Sequence, residues 1–206
     1  MHTRIDSLDA LAHYIKTEGN PRVIGLVGAP GSGKSTTSQA LLAYFDDAVV
    51  VPMDGFHYSN EVLEDIGLRH LKGAPETFDS EEFVDAIREV CRRQQPVSFP
   101  EFDRAIESSR PDRILVTPEH QVVIVEGNYL LLPTSPWSEI FDLIDLKVYV
   151  ERDDSLRIAQ LKERHIESGK DPDSATEWMS RVDGPNAALI EQTRPRADII
   201  FCNLGS

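Results

Sequence analysis

The run Gly28-Ala29-Pro30-Gly31-Ser32-Gly33-Lys34-Ser35 constrains this chain more than any other feature. It fits G-x-x-x-x-G-K-[ST], a loop whose backbone wraps a polyphosphate. The residue types follow from that task. Glycines let the backbone approach closely and aim several N–H groups at phosphate oxygens. Lys34 supplies a point charge for the β- and γ-phosphates, and Ser35 a hydroxyl for Mg²⁺. The flanks agree. Val23-Ile24-Gly25-Leu26-Val27 is a short apolar run that reads as a buried strand. Residues 36–44, with Ala40, Leu41 and Ala43, read as the following helix, whose N-terminus favours anions.

At 206 residues, 40% hydrophobic and 27% charged, the chain reads as one soluble domain able to bury a substantial core. The net charge of −14 disfavours nucleic acid and anionic lipid as partners and points to a small-molecule substrate. The two cysteines, Cys91 and Cys202, form no C-x-x-C and no zinc spacing, and read as inert thiols. Residues 1–6 lack the apolar core of a signal peptide, and no apolar run approaches the ~20 residues of a membrane span. A cytoplasmic location with no membrane partner is the expectation.

Further along, Ile5, Leu8, Leu11, Ala12 and Ile15 recur at helical spacing until Gly19-Asn20-Pro21 ends that helix. Residues 48–52, 122–125, 146–150 and 197–201 are apolar runs that read as strands. Residues 60–67 read as a short helix. Ser80 reads as the start of a firmer one, with Phe83, Ala86, Ile87 and Val90 as its apolar stripe. Residues 97–102 and 113–116 suggest short antiparallel strands, 153–168 a polar helix, and 185–192 another helix. Strands alternating with helices imply an α/β fold, a mostly parallel sheet with helices on both faces. Ligands of such sheets bind beyond the carboxyl ends of the strands.

The residues after each strand are therefore the candidates. Asp54 follows the second run, where a carboxylate can accept a hydroxyl proton, hold a magnesium-bound water, or simply make a turn with Gly55. His57 in the same loop is either structural or substrate-binding. Glu126 ends the 122–125 strand, the position of an acid that reaches Mg²⁺ through water, or of a plain surface Glu. Arg157 and Arg164 lie seven apart and share a helix face. They read either as guanidinium groups over a triphosphate or as a solvated charged face.

Over residues 22–201 the chain resembles the P-loop kinases of the uridine kinase, phosphoribulokinase and bacterial type I pantothenate kinase superfamily. The matching residues are the phosphate loop through Thr36, Met53-Asp54-Gly55-Phe56-His57, Lys72-Gly73-Ala74-Pro75-Glu76-Thr77-Phe78-Asp79, Pro100-Glu101-Phe102-Asp103-Arg104, residues 122–132 with Glu126-Gly127-Asn128-Tyr129-Leu130-Leu131-Leu132, and the Arg-bearing lid. Within the superfamily the combination looks most like the small group of fructose-transport-system kinases, also called fructokinases. Phe102 and Arg104 stand where pantothenate kinases carry Tyr and His, which argues against pantothenate itself.

The resemblance implies a three-layer P-loop NTPase fold, a single kinase domain over 1–206 with a small lid at about 153–180, and use of ATP with Mg²⁺. It implies transfer of the γ-phosphoryl to a hydroxyl of a small metabolite, a sugar such as fructose first, pantothenate or a uridine-type nucleoside as alternatives. By the same likeness Asp54 is the base, Lys34 the phosphate contact, and Ser35 and Glu126 the metal side. Arg157 and Arg164 are lid residues. His57, Phe78, Phe102, Asp103, Arg104 and Tyr129 belong to the acceptor pocket, and Asn186 lies near adenine or caps a helix. Homodimers are common in that superfamily. A competing class is a regulatory NTPase acting on a protein partner. It is disfavoured by the lack of D-x-x-G and N-K-x-D elements and of an Asp-Glu pair at residue 126.

Overall fold

The computed structural model describes residues 2–104 and 106–203. Strand β1 (Thr3–Ile5) and helix α1 (Leu8–Thr17) precede β2 (Val23–Val27), the strand that feeds the phosphate loop. Helix α2 (Lys34–Leu42) and β3 (Ala48–Pro52) follow, then the short α3 (Asn60–Asp65) and the long α4 (Ser80–Arg92). Strands β4 (Val97–Asp103) and β5 (Ser108–Val116) pair as an antiparallel hairpin outside the main sheet. Next come β6 (Val122–Gly127), α5 (Trp137–Leu143) and β7 (Leu146–Glu151). Helices α6 (Asp154–Glu167), α7 (Pro172–Trp178) and α8 (Gly184–Glu191) lead to β8 (Ile199–Cys202).

Six strands form one parallel sheet in the order β1-β8-β7-β2-β6-β3. All five residues of β2 are buried, as a central strand covered on both faces must be. Its side chains still alternate. Val23 and Val27 join Phe83, Ile87, Trp137, Ile140 and Ile190 in the layer of α4, α5 and α8. Ile24 and Leu26 join Leu11, Ile15 and Leu41 in the layer of α1 and α2. Two apolar layers thus grip one sheet, and the three-layer α/β expectation holds. No described helix is long and apolar enough to cross a membrane.

Strand register sets the level at which the loops emerge. Leu26 of β2 and Pro52 of β3 both pair with Glu126 of β6. The phosphate loop, the Met53–Phe56 turn and Glu126 therefore leave the sheet side by side.

The structure departs from the sequence reading in three places. Ile5 closes β1, paired with Phe201, rather than opening a helix; Ser7 caps α1 instead, its hydroxyl accepting from Ala10 N. Helix α4 starts at Ser80 as read, but the cap that Ser80 could also supply comes from Asp79, which accepts from Glu82 N at 3.0 Å. Helices α5 and α7 have no counterpart in that reading, being only seven residues each and too short for a readable period.

Candidate active site

The phosphate loop opens α2 without a side-chain cap, so its first N–H groups face outward. Gly31 and Gly33 have φ of +80° and +90°, a region that L side chains rarely adopt. Space is closed as well. A Cβ at Gly31 would stand 2.8 Å from the Arg157 carbonyl, and one at Gly33 would strike the Asn203 amide. Lys34 folds back over the loop and donates to the carbonyls of Gly28 (2.8 Å) and Ala29 (3.2 Å). Burial pushes its ammonium down to about 8, against the opposing pull of Glu126 and Asp54.

Glu126 is 7% exposed, and its Oε2 is buried with no hydrogen-bond partner. Burial raises its carboxyl from the ordinary value; a hydrogen bond with Ser35 and the charge of Lys34 oppose that. A buried carboxylate oxygen without a donor, beside a hydroxyl at the phosphate-loop helix, suits a hydrated divalent cation. Among the described residues no group of three or more His, Cys, Asp or Glu is placed to hold a metal ion by itself. Mg²⁺ needs none, because it takes most of its shell from water and phosphate.

Asp54 sits in the turn Met53–Phe56, where a Cβ on Gly55 would collide with the Pro100 carbonyl, so only glycine lets β4 approach. Its Oδ2 lies 3.9 Å from Arg104 Nη2. Asp54, Lys34, Ser35, Glu126, Arg104 and Arg164 line one small cavity. The guanidinium of Arg164, on α6, makes no hydrogen bond or ion pair among the described residues. Burial lowers its pKa, with Arg104 adding to that and Asp54 and Asp183 opposing. Arg157 behaves differently. It is bonded to Asp154 and donates from Nη1 to the Pro30 carbonyl at 3.1 Å, so its donors are committed to holding the loop.

Asp54, Arg104 and Arg164 also belong to an adjoining cavity of about 290 Å³. His57, Phe78 and Phe102 form its ring wall, with His57 stacked 3.9 Å from Phe78 and 4.9 Å from Phe102. Burial lowers the His57 pKa, keeping the imidazole neutral at physiological pH.

Two expected site residues stand elsewhere, and a third lies on the wall of the larger cavity. Tyr129 is the largest fully buried side chain; its hydroxyl donates to the Gly73 carbonyl, and burial raises its pKa. Asp103 turns across the hairpin to Arg110 at 2.6 Å and does not line the cavity. Asn186 caps no helix by its side chain. It donates to the Gly73 carbonyl at 3.1 Å and lines the larger cavity. Tyr129 and Asn186 thus pin one carbonyl of the 72–79 loop. The sequence reading missed Arg69, Lys72, Glu107, Lys170 and Trp178 on the same wall. Lys72 alone had a signal, the Lys-Gly-Ala-Pro-Glu-Thr run it begins.

Known proteins resemble this chain in sequence and in fold. The sequence pattern of the Phosphoribulokinase / Uridine kinase family matches residues 23–206. A Schizosaccharomyces pombe protein described as a "putative uridine kinase" is 36% identical over 195 residues, 88% of this chain and 83% of that one. A pantothenate kinase of Latilactobacillus sakei is 35% identical over 149 residues, 69% of this chain and 48% of its own. The crystal structure of a "putative fructose transport system kinase" from Silicibacter sp. TM1040 superposes with a TM-score of 0.83 at 37% identity, covering 95% and 98% of the two chains.

Proposed function

Because this chain belongs to the phosphoribulokinase and uridine kinase family and is a small-molecule kinase, we propose that it moves the γ-phosphoryl of Mg-ATP to a hydroxyl of a small metabolite held in the 290 Å³ cavity. One observation carries this reading. Asp54 and Arg164 border both the small cavity of Lys34, Ser35 and Glu126 and the larger one lined by rings. A donor phosphate in the first and a hydroxyl in the second would meet at Asp54.

Roles follow from that arrangement. The loop N–H groups and Lys34 bind the phosphates. Ser35 and Glu126 would hold Mg²⁺, which when bound neutralises charge on the β- and γ-phosphates. Asp54 accepts the hydroxyl proton. Arg164, whose donors are not spent on a hydrogen bond or ion pair among the described residues, stabilises charge on the transferring group, while Arg157 keeps the loop in shape. The α6–α7 segment carries both arginines across the phosphate loop and serves as the lid, about residues 153–180 of one kinase domain spanning 1–206. His57, Phe78, Phe102 and Arg104 receive the acceptor. A sugar such as fructose, a uridine-type nucleoside and a pantothenate-like alcohol are the acceptor classes that the names of the relatives suggest. The expected site of action is the cytoplasm.

The test is ADP release with Mg-ATP against a panel of hexoses, pentoses, nucleosides and pantothenate. Strong stimulation by one compound supports the reading. Steady hydrolysis that no small acceptor changes would contradict it.

A further inference from the structure

Lys72 stands on the cavity wall with 9% of its surface exposed. Its ammonium donates to Asn60 Oδ1 (2.6 Å) and the Glu107 backbone carbonyl (2.7 Å), and lies 5.2 Å from the centre of the Phe102 ring. All three partners are neutral groups, and Lys72 makes no ion pair among the described residues. A buried ammonium held this way is poorly compensated, and burial lowers its pKa accordingly.

Two further cations stand beside it. Arg69 and Lys170 both reach the single carboxylate of Glu107, at 3.1 Å and 4.0 Å. Asp183, the other acid on this part of the wall, is occupied by His165 Nε2 at 2.7 Å. Three cations therefore stand around one carboxylate, that of Glu107, inside a chain whose net charge is −14. The loop that presents Lys72 is also unusually well held. The Gly73 carbonyl takes hydrogen bonds from Tyr129 and Asn186, and the Gly73 N–H donates to Thr77 Oγ1 at 2.9 Å. So much anchoring of one residue's neighbour fixes where the ammonium points.

We propose that Lys72, Arg69 and Lys170 form an anion subsite of the acceptor pocket, so that the acceptor carries a carboxylate or phosphate besides the hydroxyl that reacts. This rests on the kinase reading of the site. The three parts of the pocket then match three parts of the molecule: Asp54 the hydroxyl, the His57 and Phe102 rings its body, and the cations its charge. In the reaction the acceptor hydroxyl gives its proton to Asp54 and its oxygen bonds to the γ-phosphorus. The bond from that phosphorus to the bridging oxygen breaks, and ADP leaves. The anionic group does not react. A neutral sugar would leave the three cations with the Glu107 carboxylate alone between them.

The test uses matched probes that differ in charge: pantothenate against panthenol, glucuronate against glucose, and ribose 5-phosphate against ribose. Calorimetry on the intact protein with a non-hydrolysable Mg-ATP analogue reads binding, and ADP release with Mg-ATP reads turnover. At least one anionic probe is expected to bind and turn over tenfold or more better than its neutral partner (about tenfold being the loss expected for one charged contact). Which pair responds separates a carboxylate from a phosphate. Lys72→Met, and independently Lys170→Met on the part-exposed lid, should each raise KM about tenfold with little change in kcat. Equal behaviour within every pair, no binding by any anionic probe at millimolar concentration, or unchanged KM in both variants overturns the subsite and leaves the kinase reading intact. Charge-selective binding without ADP release would do the reverse.

Discussion

The proposed phosphate end and the proposed acceptor end of this site are built in opposite ways. The phosphate end is local: one strand, one loop and one helix start, residues 23–42, with function carried largely by backbone N–H groups. The acceptor end is assembled from widely separated stretches, chiefly the Asp54 turn, the 69–78 loop, the hairpin tip and the α6–α8 segment, with Pro30 and Asn128 completing the wall. Its proposed function rests on side chains whose neighbours are far apart in sequence. A backbone cradle tolerates only glycine at fixed points and so leaves a motif. A side-chain cavity can be refitted residue by residue, which is how one fold serves kinases named for uridine, pantothenate and fructose.

Substitutions should tell the two ends apart. The largest effect should come from the phosphate end. Lys34→Ala should lower kcat/KM by about 10²–10³-fold or more, whatever the acceptor, with thermal stability little changed. An effect that depended on the acceptor would break the division between the two ends. The two lid arginines should separate next. Arg164→Ala should cost about 10²-fold in kcat, while Arg157→Ala acts mainly on nucleotide KM, because its donors already hold the Pro30 carbonyl. Equal kcat losses in steady-state kinetics would contradict that assignment.

A smaller effect is expected from pH. The free Lys34 ammonium is pushed down from 10.5 to about 8 by burial. Phosphate beside it favours the charged form, so above that pH nucleotide binding must take up a proton. ATP affinity should fall by up to about tenfold per pH unit above 8, and calorimetry in buffers of different ionisation enthalpy should show the uptake. A flat profile between about pH 7 and 9.5 would show that Lys34 stays charged in the free protein. The smallest effect should be Tyr129→Phe, which removes one of two donors to the Gly73 carbonyl. About 1 kcal/mol of stability should be lost, with acceptor KM rising and nucleotide KM unchanged.

The legibility of the chain follows the same division. Residues Gly28 to Ser35, Asp54 and Glu126 could be found from the sequence because each ends a readable apolar strand of a parallel sheet. Phe78, Phe102 and Arg104 came from family likeness rather than from pattern, and Arg69 and Lys170 from neither. Their role depends on Glu107, which lies 38 and 63 positions away and meets them only in the folded chain. Tyr129 and Asn186 were seen as site residues, but their contact with one carbonyl at Gly73 is invisible without the fold. In the scaffold, short α5 and α7 and the three-residue β1 escaped because so few residues define no period.

The most direct measurement is acceptor-dependent ADP release by the wild-type protein and by Asp54→Asn, with nucleotide affinity and melting temperature measured on both. If Asp54 is the base, kcat should fall by about 10²–10⁴-fold in the variant, with ATP binding and folding retained. Turnover like that of the wild type would show that Asp54 does not take the acceptor's proton, and the central assignment would fail.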